Sequence, residues 1–322
     1  MTSTADKDKK SQEIATGIPP WHAQVFIGTL LAISAQNLPS LVSLDEVATI
    51  EALTNRVFPT IFSLQSLGII RILIAASIWS IMFWIAVISD GWKMHTVYKP
   101  QTKILKSVIH MKGIRTFFPF TSWSWVLLGL CFSINGYIAL TVGAGESDKI
   151  QPWMLRAGLI LFEISAPFAL LVSSVVRYAI WPAVLKSGKP HELDSLRNQM
   201  MHNMNAVYAL SEMALLGGIP MTLSHISLPC FVGCCYVLFA WSGAHFLGKA
   251  GTVPGPQYQY FFLDTTLGKT TTISLAVLLV VLMIFFAFFD GIGAVVSRFG
   301  GNLLVNFLAV ILVSSLVCKV KA

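Results

Sequence analysis

Charge is what this chain has least of. Only 11% of its 322 residues are charged, whereas 55% are hydrophobic and the mean hydropathy is +0.71. A soluble domain carries roughly a quarter charged residues, so a water-soluble globular fold is excluded. Acidic residues are the scarcer sign, 15 against 22 basic, for a net charge of +7. No stretch outside the apolar runs is long enough for a soluble basic domain, so no nucleic-acid partner is expected. Short alternating segments of the kind a transmembrane β-barrel needs are also missing. Cysteine is sparse: Cys131, Cys230, Cys234, Cys235 and Cys318 all lie in apolar runs, without His or acidic partners at zinc-site spacing. They read as small packing residues. No metal or other cofactor is expected. There is no Gly-rich phosphate loop, no heptad array and no short internal repeat.

What remains is a succession of apolar runs near the length needed to cross a bilayer as a helix. They lie at about 24–44, 62–88, 117–142, 153–179, 200–219, 223–247, 270–289 and 302–318. The expected fold is all-α, a polytopic transmembrane helical bundle of about eight spans. The first run is the weakest, because it contains Asn37 and Pro39 and also suits an interfacial or re-entrant helix. Pro167 should kink the fourth. Residues 1–20 read as a disordered polar tail, 21–61 as the uncertain first helix and its loop, 62–290 as the core, and 291–322 as an added helix with a basic tail. The order of a cleaved signal peptide is not found, so the first spanning helix is expected to act as an uncleaved signal.

Loop charges orient the bundle. Asp90 to Thr116 holds Lys93, Lys99, Lys103, Lys106, Lys112 and Arg115 against Asp90 alone, and Ile180 to Gln199 holds Lys186, Lys189 and Arg197. Both loops belong on the cytoplasmic side, as does the tail with Lys319 and Lys321. Eight spans then leave both termini cytoplasmic. The membrane is endoplasmic reticulum or another endomembrane, or the plasma membrane. Trp123, Trp125, Trp153 and Trp181 cluster near span ends, as an aromatic belt does.

The densest information lies in Asn198 to Trp241. Two apolar arms meet at Gly217-Gly218-Ile219-Pro220, and the first arm carries His202, Asn205 and Glu212. Ionisable groups inside a bilayer are expensive and face a protein interior or a cavity. By count along the spans, Arg71, Glu163 and Glu212 fall near mid-membrane and form an intramembrane charge cluster in which Arg71 pairs with one or both carboxylates. A clamp between helices and a proton or ion relay both fit it. Alternation of spans puts Thr121 and His202 at similar depth near the inner surface. A Thr hydroxyl beside a His makes a nucleophile and general base; equally, such a Thr bonds a carbonyl one turn back and such a His lies at the interface. Asn205 stands one turn from His202 and suits either an oxyanion donor or a bond to another helix. Asp264, after the aromatic run at Tyr258, either orients the His or caps the next helix.

These motifs carry a resemblance. FTSWSWVLLGLCF (Phe120 to Phe132) is similar to the second-helix signature of the androgen-induced / androgen-dependent TFPI-regulating protein family and the related rolling-stone-like membrane proteins. His202, Glu212, Pro220, His225, Pro229, Gly233, Tyr236 and Phe239, followed by YQYFFLD at Tyr258 to Asp264, fit the same pattern in order, over roughly residues 62–290. The resemblance implies a six-helix family core with extra terminal helices. It also implies a threonine hydrolase of lipid esters, such as fatty acid esters of hydroxy fatty acids, with Thr121 as nucleophile and His202 as base and a membrane lipid as substrate. The stretch Asn203-Met204-Asn205 lies closer to the rolling-stone-like pattern. The alternative is therefore a non-enzymatic membrane protein, an adhesion or fusion factor or a small-solute carrier.

Overall fold

The computed structural model describes residues 15–96, 98–186, 195–299 and 302–319. Most of the tail expected over 1–20, together with Lys189 and Lys321, lies outside the described residues.

Among the described residues the chain is a helical bundle with one small hairpin. Its elements are α1 (Trp21–Gln36), α2 (Leu41–Val47), α3 (Ile50–Leu53), α4 (Leu64–Phe83), β1 (Trp92–His95), β2 (Val108–Met111), α5 (Phe120–Gly143), α6 (Pro152–Val175) and α7 (Trp181–Lys186). They continue as α8 (Leu196–Gln199), α9 (Asn205–Ala214), α10 (Ser227–Ser242), α11 (Ala244–Gly248), α12 (Lys269–Phe299) and α13 (Leu303–Val317). Three wide π-helical turns interrupt the rods, at Trp84–Ile88, Val176–Ile180 and Met200–Met204. β1 and β2 pair antiparallel, with Trp92 opposite Met111.

Among the described residues, five helices are long and apolar enough to cross a membrane: Leu64–Ile88, Phe120–Gly143, Pro152–Lys186, Leu223–Ser242 and Lys269–Val296. Trp21–Gln36 and Leu41–Val47 would make a sixth as one span, bent by 69°. Five of the eight expected apolar runs match these helices, and the first, fifth and last fold as shorter or bent pieces. Pro39 disfavours helix at the residue before it, and Ser40 caps α2 by accepting from the Ser43 amide, so the first run folds as two helices. The run 200–219 loses length because it opens at a π turn and unwinds after Ala214. α13 has only 15 residues. Pro167 lies within α6, which stays helical through it.

α6 is the central rod, buried without a break from Phe162 to Ser173. α4 and α5 pack closely through a glycine stripe. A Cβ on Gly129, Gly136 or Gly143 would meet Ile78, Ile72 or Leu64 at 2.8, 2.9 and 3.1 Å. Small residues let backbones approach where lipid supplies no hydrophobic drive between helices. The outer faces of α4, α12 and α13 carry exposed Leu73, Ile273 and Leu312, as a lipid-facing surface does. Trp125 and Trp181 are packed inside rather than placed in a belt; the Trp125 indole donates to the Ile78 carbonyl at 3.3 Å.

Both described ends meet at the hairpin end of the bundle. His245 Nε2 donates to the Thr16 carbonyl and the Tyr258 hydroxyl to the Gly17 carbonyl, each at 3.0 Å. The Lys319 amide donates to Asn203 Oδ1 at 3.1 Å, and Arg197 stacks on Trp92 at 3.9 Å. At the far end, residues 37–63 cover the bundle. Arg156 grips Asp45 through two bonds of 2.6 and 2.7 Å, and the Val57 amide donates to the Leu216 carbonyl at 2.8 Å.

Candidate lipid site and buried polar network

An open cavity lies near the hairpin end. Its wall comes from α1 (Phe26, Ile27, Leu30), the start of α5 (Phe120, Thr121), α6 and its π turn (Leu171 to Ile180), α10 (Cys230 to Val237), the segment Tyr260–Leu263, and α12 (Leu275 to Leu282). These residues are nearly all apolar because each run was selected to face lipid or a neighbouring helix. Thr121 is the exception. It is 6% exposed and sits in the first turn of α5, where Pro119 supplies no side-chain cap. The half-buried Tyr260 faces it. Burial pushes the Tyr260 phenol above its usual range, and the Thr121 hydroxyl with the amides of Thr121 and Phe120 pulls in the opposite direction. The cavity therefore has one polar spot, a hydroxyl and a phenol beside a helix start, on an otherwise oily wall. Aromatic rings fix that spot: Phe120 packs on Tyr236 at 4.9 Å, and the Tyr236 hydroxyl donates to the Phe118 carbonyl at 3.0 Å.

The other expected site residues lie elsewhere. His202 belongs to the π turn before α9, and its carbonyl accepts from the Ser173 hydroxyl. It is not part of the cavity wall, and among the described residues no hydrogen bond joins its imidazole to Thr121. Asn205 is fully buried and donates to Ser124 Oγ at 2.9 Å, tying α9 to α5. Asp264 accepts from the Thr266 amide at 2.8 Å and from the Thr102 hydroxyl at 2.5 Å, so it caps a turn and ties two loops together.

The charges expected near mid-membrane form two separate pairs. Arg71 Nη2 and Nε donate to Glu212 at 2.5 and 3.1 Å, and Arg71 Nη1 donates to the carbonyls of Leu53 at 2.8 Å and Asn135 at 3.2 Å. Gly217 is needed here, since a Cβ on it would fall 1.9 Å from Arg71 Nη2. Glu163 turns away to His225, whose Nδ1 lies 2.9 Å from Oε2, and also accepts from the Thr222 amide at 3.1 Å. Sequence reasoning assigned His225 no partner. Its signal was only a histidine five residues beyond Pro220. The chain unwinds over 215–222, and His225 then lands beside Glu163.

No protein-family model, no curated protein and no solved structure matches this chain.

Proposed function

We propose that this is an integral membrane protein that takes a lipid acyl chain into the hairpin-end cavity and sets its ester carbonyl against Thr121. The observation that carries the reading is the buried Thr121 hydroxyl on an apolar wall. An apolar wall with a few placed polar groups suits a small amphiphile. The chemistry that this placement serves is ester hydrolysis, as the resemblance to the androgen-induced threonine hydrolases implies. Thr121 Oγ attacks the carbonyl, the proton passes to a base and then to the leaving alcohol, and water releases the acyl group. The Tyr260 hydroxyl is the donor that faces a developing oxyanion.

The base in this reading is His202. Ser124 and Asn205 bond α5 to α9, and Thr121 and His202 each stand three residues before that contact. Substrate must draw the imidazole onto the hydroxyl, as catalytic hydrogen bonds often tighten only in the complex. The reading also includes eight membrane crossings, with the hairpin end and both termini on the cytoplasmic side. Sealed vesicles carrying tags at either end test that part, and opposite protease protection of the two tags refutes it.

The functional test is turnover of a branched fatty acid ester, read beside cross-linking of a photoreactive acyl chain. Thr121→Ala should abolish turnover and leave cross-linking intact. Gly233→Leu, which fills the wall, should lose both. Wild type without cross-linking in the cavity overturns the binding reading. Cross-linking without turnover removes the hydrolase and leaves the non-enzymatic alternative.

A further inference from the structure

A second constellation stands at the far end of the bundle, built from three elements that the chain brings together over long separations. Ser43 Oγ on α2 lies 3.2 Å from His225 Nε2, and His225 Nδ1 lies 2.9 and 3.0 Å from the two oxygens of Glu163 on α6. His225 is 1% exposed and Glu163 fully buried, whereas Ser43 is half-buried at the surface. The Thr222 amide holds Glu163 Oε1, and the His225 amide donates to the Thr222 carbonyl at 2.8 Å, which fixes the imidazole against the carboxylate. A carboxylate only accepts, so His225 carries its proton on Nδ1 and turns the lone pair of Nε2 toward Ser43. That is the order of bonds in which a serine is activated: hydroxyl to Nε2, and Nδ1–H to a buried carboxylate.

A clamp between α6 and the turn before α10 needs only Glu163 and His225. The buried Nε2 then needs one more hydrogen-bond partner, and here that partner is the hydroxyl of a separate, surface-facing helix. α2 is itself held in place by the double Arg156 to Asp45 bond and by the Ser227 hydroxyl, which donates to the Asn37 carbonyl at 2.7 Å. Around Ser43 the surface is oily: Leu41, Val42 and Leu223 are 63%, 69% and 51% exposed.

We propose that Ser43, His225 and Glu163 form a nucleophilic site for acyl transfer, distinct from the Thr121 cavity, which takes an acyl ester lying in the adjoining leaflet. The apolar rim receives the chain and Ser43 meets the carbonyl. A bond forms from Ser43 Oγ to the carbonyl carbon while His225 Nε2 takes the hydroxyl proton. The ester C–O bond then breaks, and the leaving alcohol receives that proton. Water, deprotonated by the same imidazole, releases the acid and restores the serine. Glu163 stays ionised and stabilises the transient imidazolium.

A long-chain alkyl fluorophosphonate, added to the full chain in sealed vesicles, tests this. Serine attack expels fluoride and leaves a phosphonyl adduct that peptide mass spectrometry can place. The adduct should fall on Ser43, disappear in Ser43→Ala and persist in Thr121→Ala. Glu163→Gln and His225→Gln should slow labelling by about 10²–10⁴-fold, the usual contribution of a positioned base. The position of the adduct in wild type decides the matter even where a buried variant fails to fold. Wild type that is folded and carries no adduct on Ser43 overturns the proposal. So does labelling on Thr121 alone, or labelling of Ser43 at an unchanged rate in a folded His225→Gln.

Discussion

Removing the carboxylate of Glu212 should destabilise this bundle about as much as emptying a large side chain from its core. The pair with Arg71 is closed by two bonds, 2.5 and 3.1 Å, and both side chains are buried, at 1% and 0% exposure. Two unit charges about 3 Å apart attract by roughly 5 kcal/mol at an effective dielectric near 20. Desolvation consumes much of that, yet deleting one partner leaves the other charge buried, which costs about 3–5 kcal/mol. Glu212→Leu should therefore lower the melting temperature by something on the order of 10 °C. Arg71→Met should do worse. It leaves a buried carboxylate and also takes a donor from the Leu53 and Asn135 carbonyls, each loss worth about 1–3 kcal/mol. The double variant removes both charges and keeps only the carbonyl cost, so it should be more stable than Arg71→Met alone. Thermal unfolding of all four proteins in one detergent gives the coupling. Energies that add to within about 0.5 kcal/mol would refute the pairing argument.

Gly217→Ala should destabilise by about 1–3 kcal/mol, since its Cβ must displace Arg71, whereas Gly28→Ala in α1, with nothing within 4 Å of the added carbon, should be neutral or stabilise by up to about 1 kcal/mol. Equal melting shifts for the two would contradict the contact geometry. Asp264→Ala should cost about 0.5–2 kcal/mol through the lost cap and free the segment 249–268 from Thr102, read as faster proteolytic cutting within that segment. Unchanged cutting would show that Asp264 does not hold the loops together.

Class and site were legible to different degrees. Twenty-residue apolar runs and scarce charge are properties of the chain itself, so the helical membrane class comes directly from them. The pair Arg71 and Glu212 comes from depth, because a lone charge at that depth must find its opposite. Depth also grouped Glu163 with them, but it does not say which helix faces are turned together. That grouping misses His225, which reaches Glu163 because eight residues unwind between α9 and the turn before α10. Hydropathy likewise counts apolar residues without registering where a polar helix such as α8–α9 opens and stops short. The ties between the loops at the hairpin end, Tyr98 to Gln257 and Thr102 to Asp264, join residues about 160 positions apart, and no local pattern announces them. Thr121 was legible as a candidate through its motif. Its neighbour Tyr260 was legible only as part of an aromatic run.

The three π turns lie toward the hairpin end of their helices, and each is a place where the chain holds a spare residue. A wide turn absorbs one extra position without rotating the rest of the helix, whereas an ordinary α-helix turns by about 100° for every residue gained or lost. Loss of one residue within Met200–Met204 would tighten the turn and still deliver Asn205 to Ser124 and Glu212 to Arg71. The same loss within 206–210 would swing Glu212 away from Arg71 and out of its pair. Length variation in this protein is thus tolerable at narrowly placed joints, close to His202 and to the cavity wall at Val176–Ile180, while the segments that carry the buried charges are locked in phase.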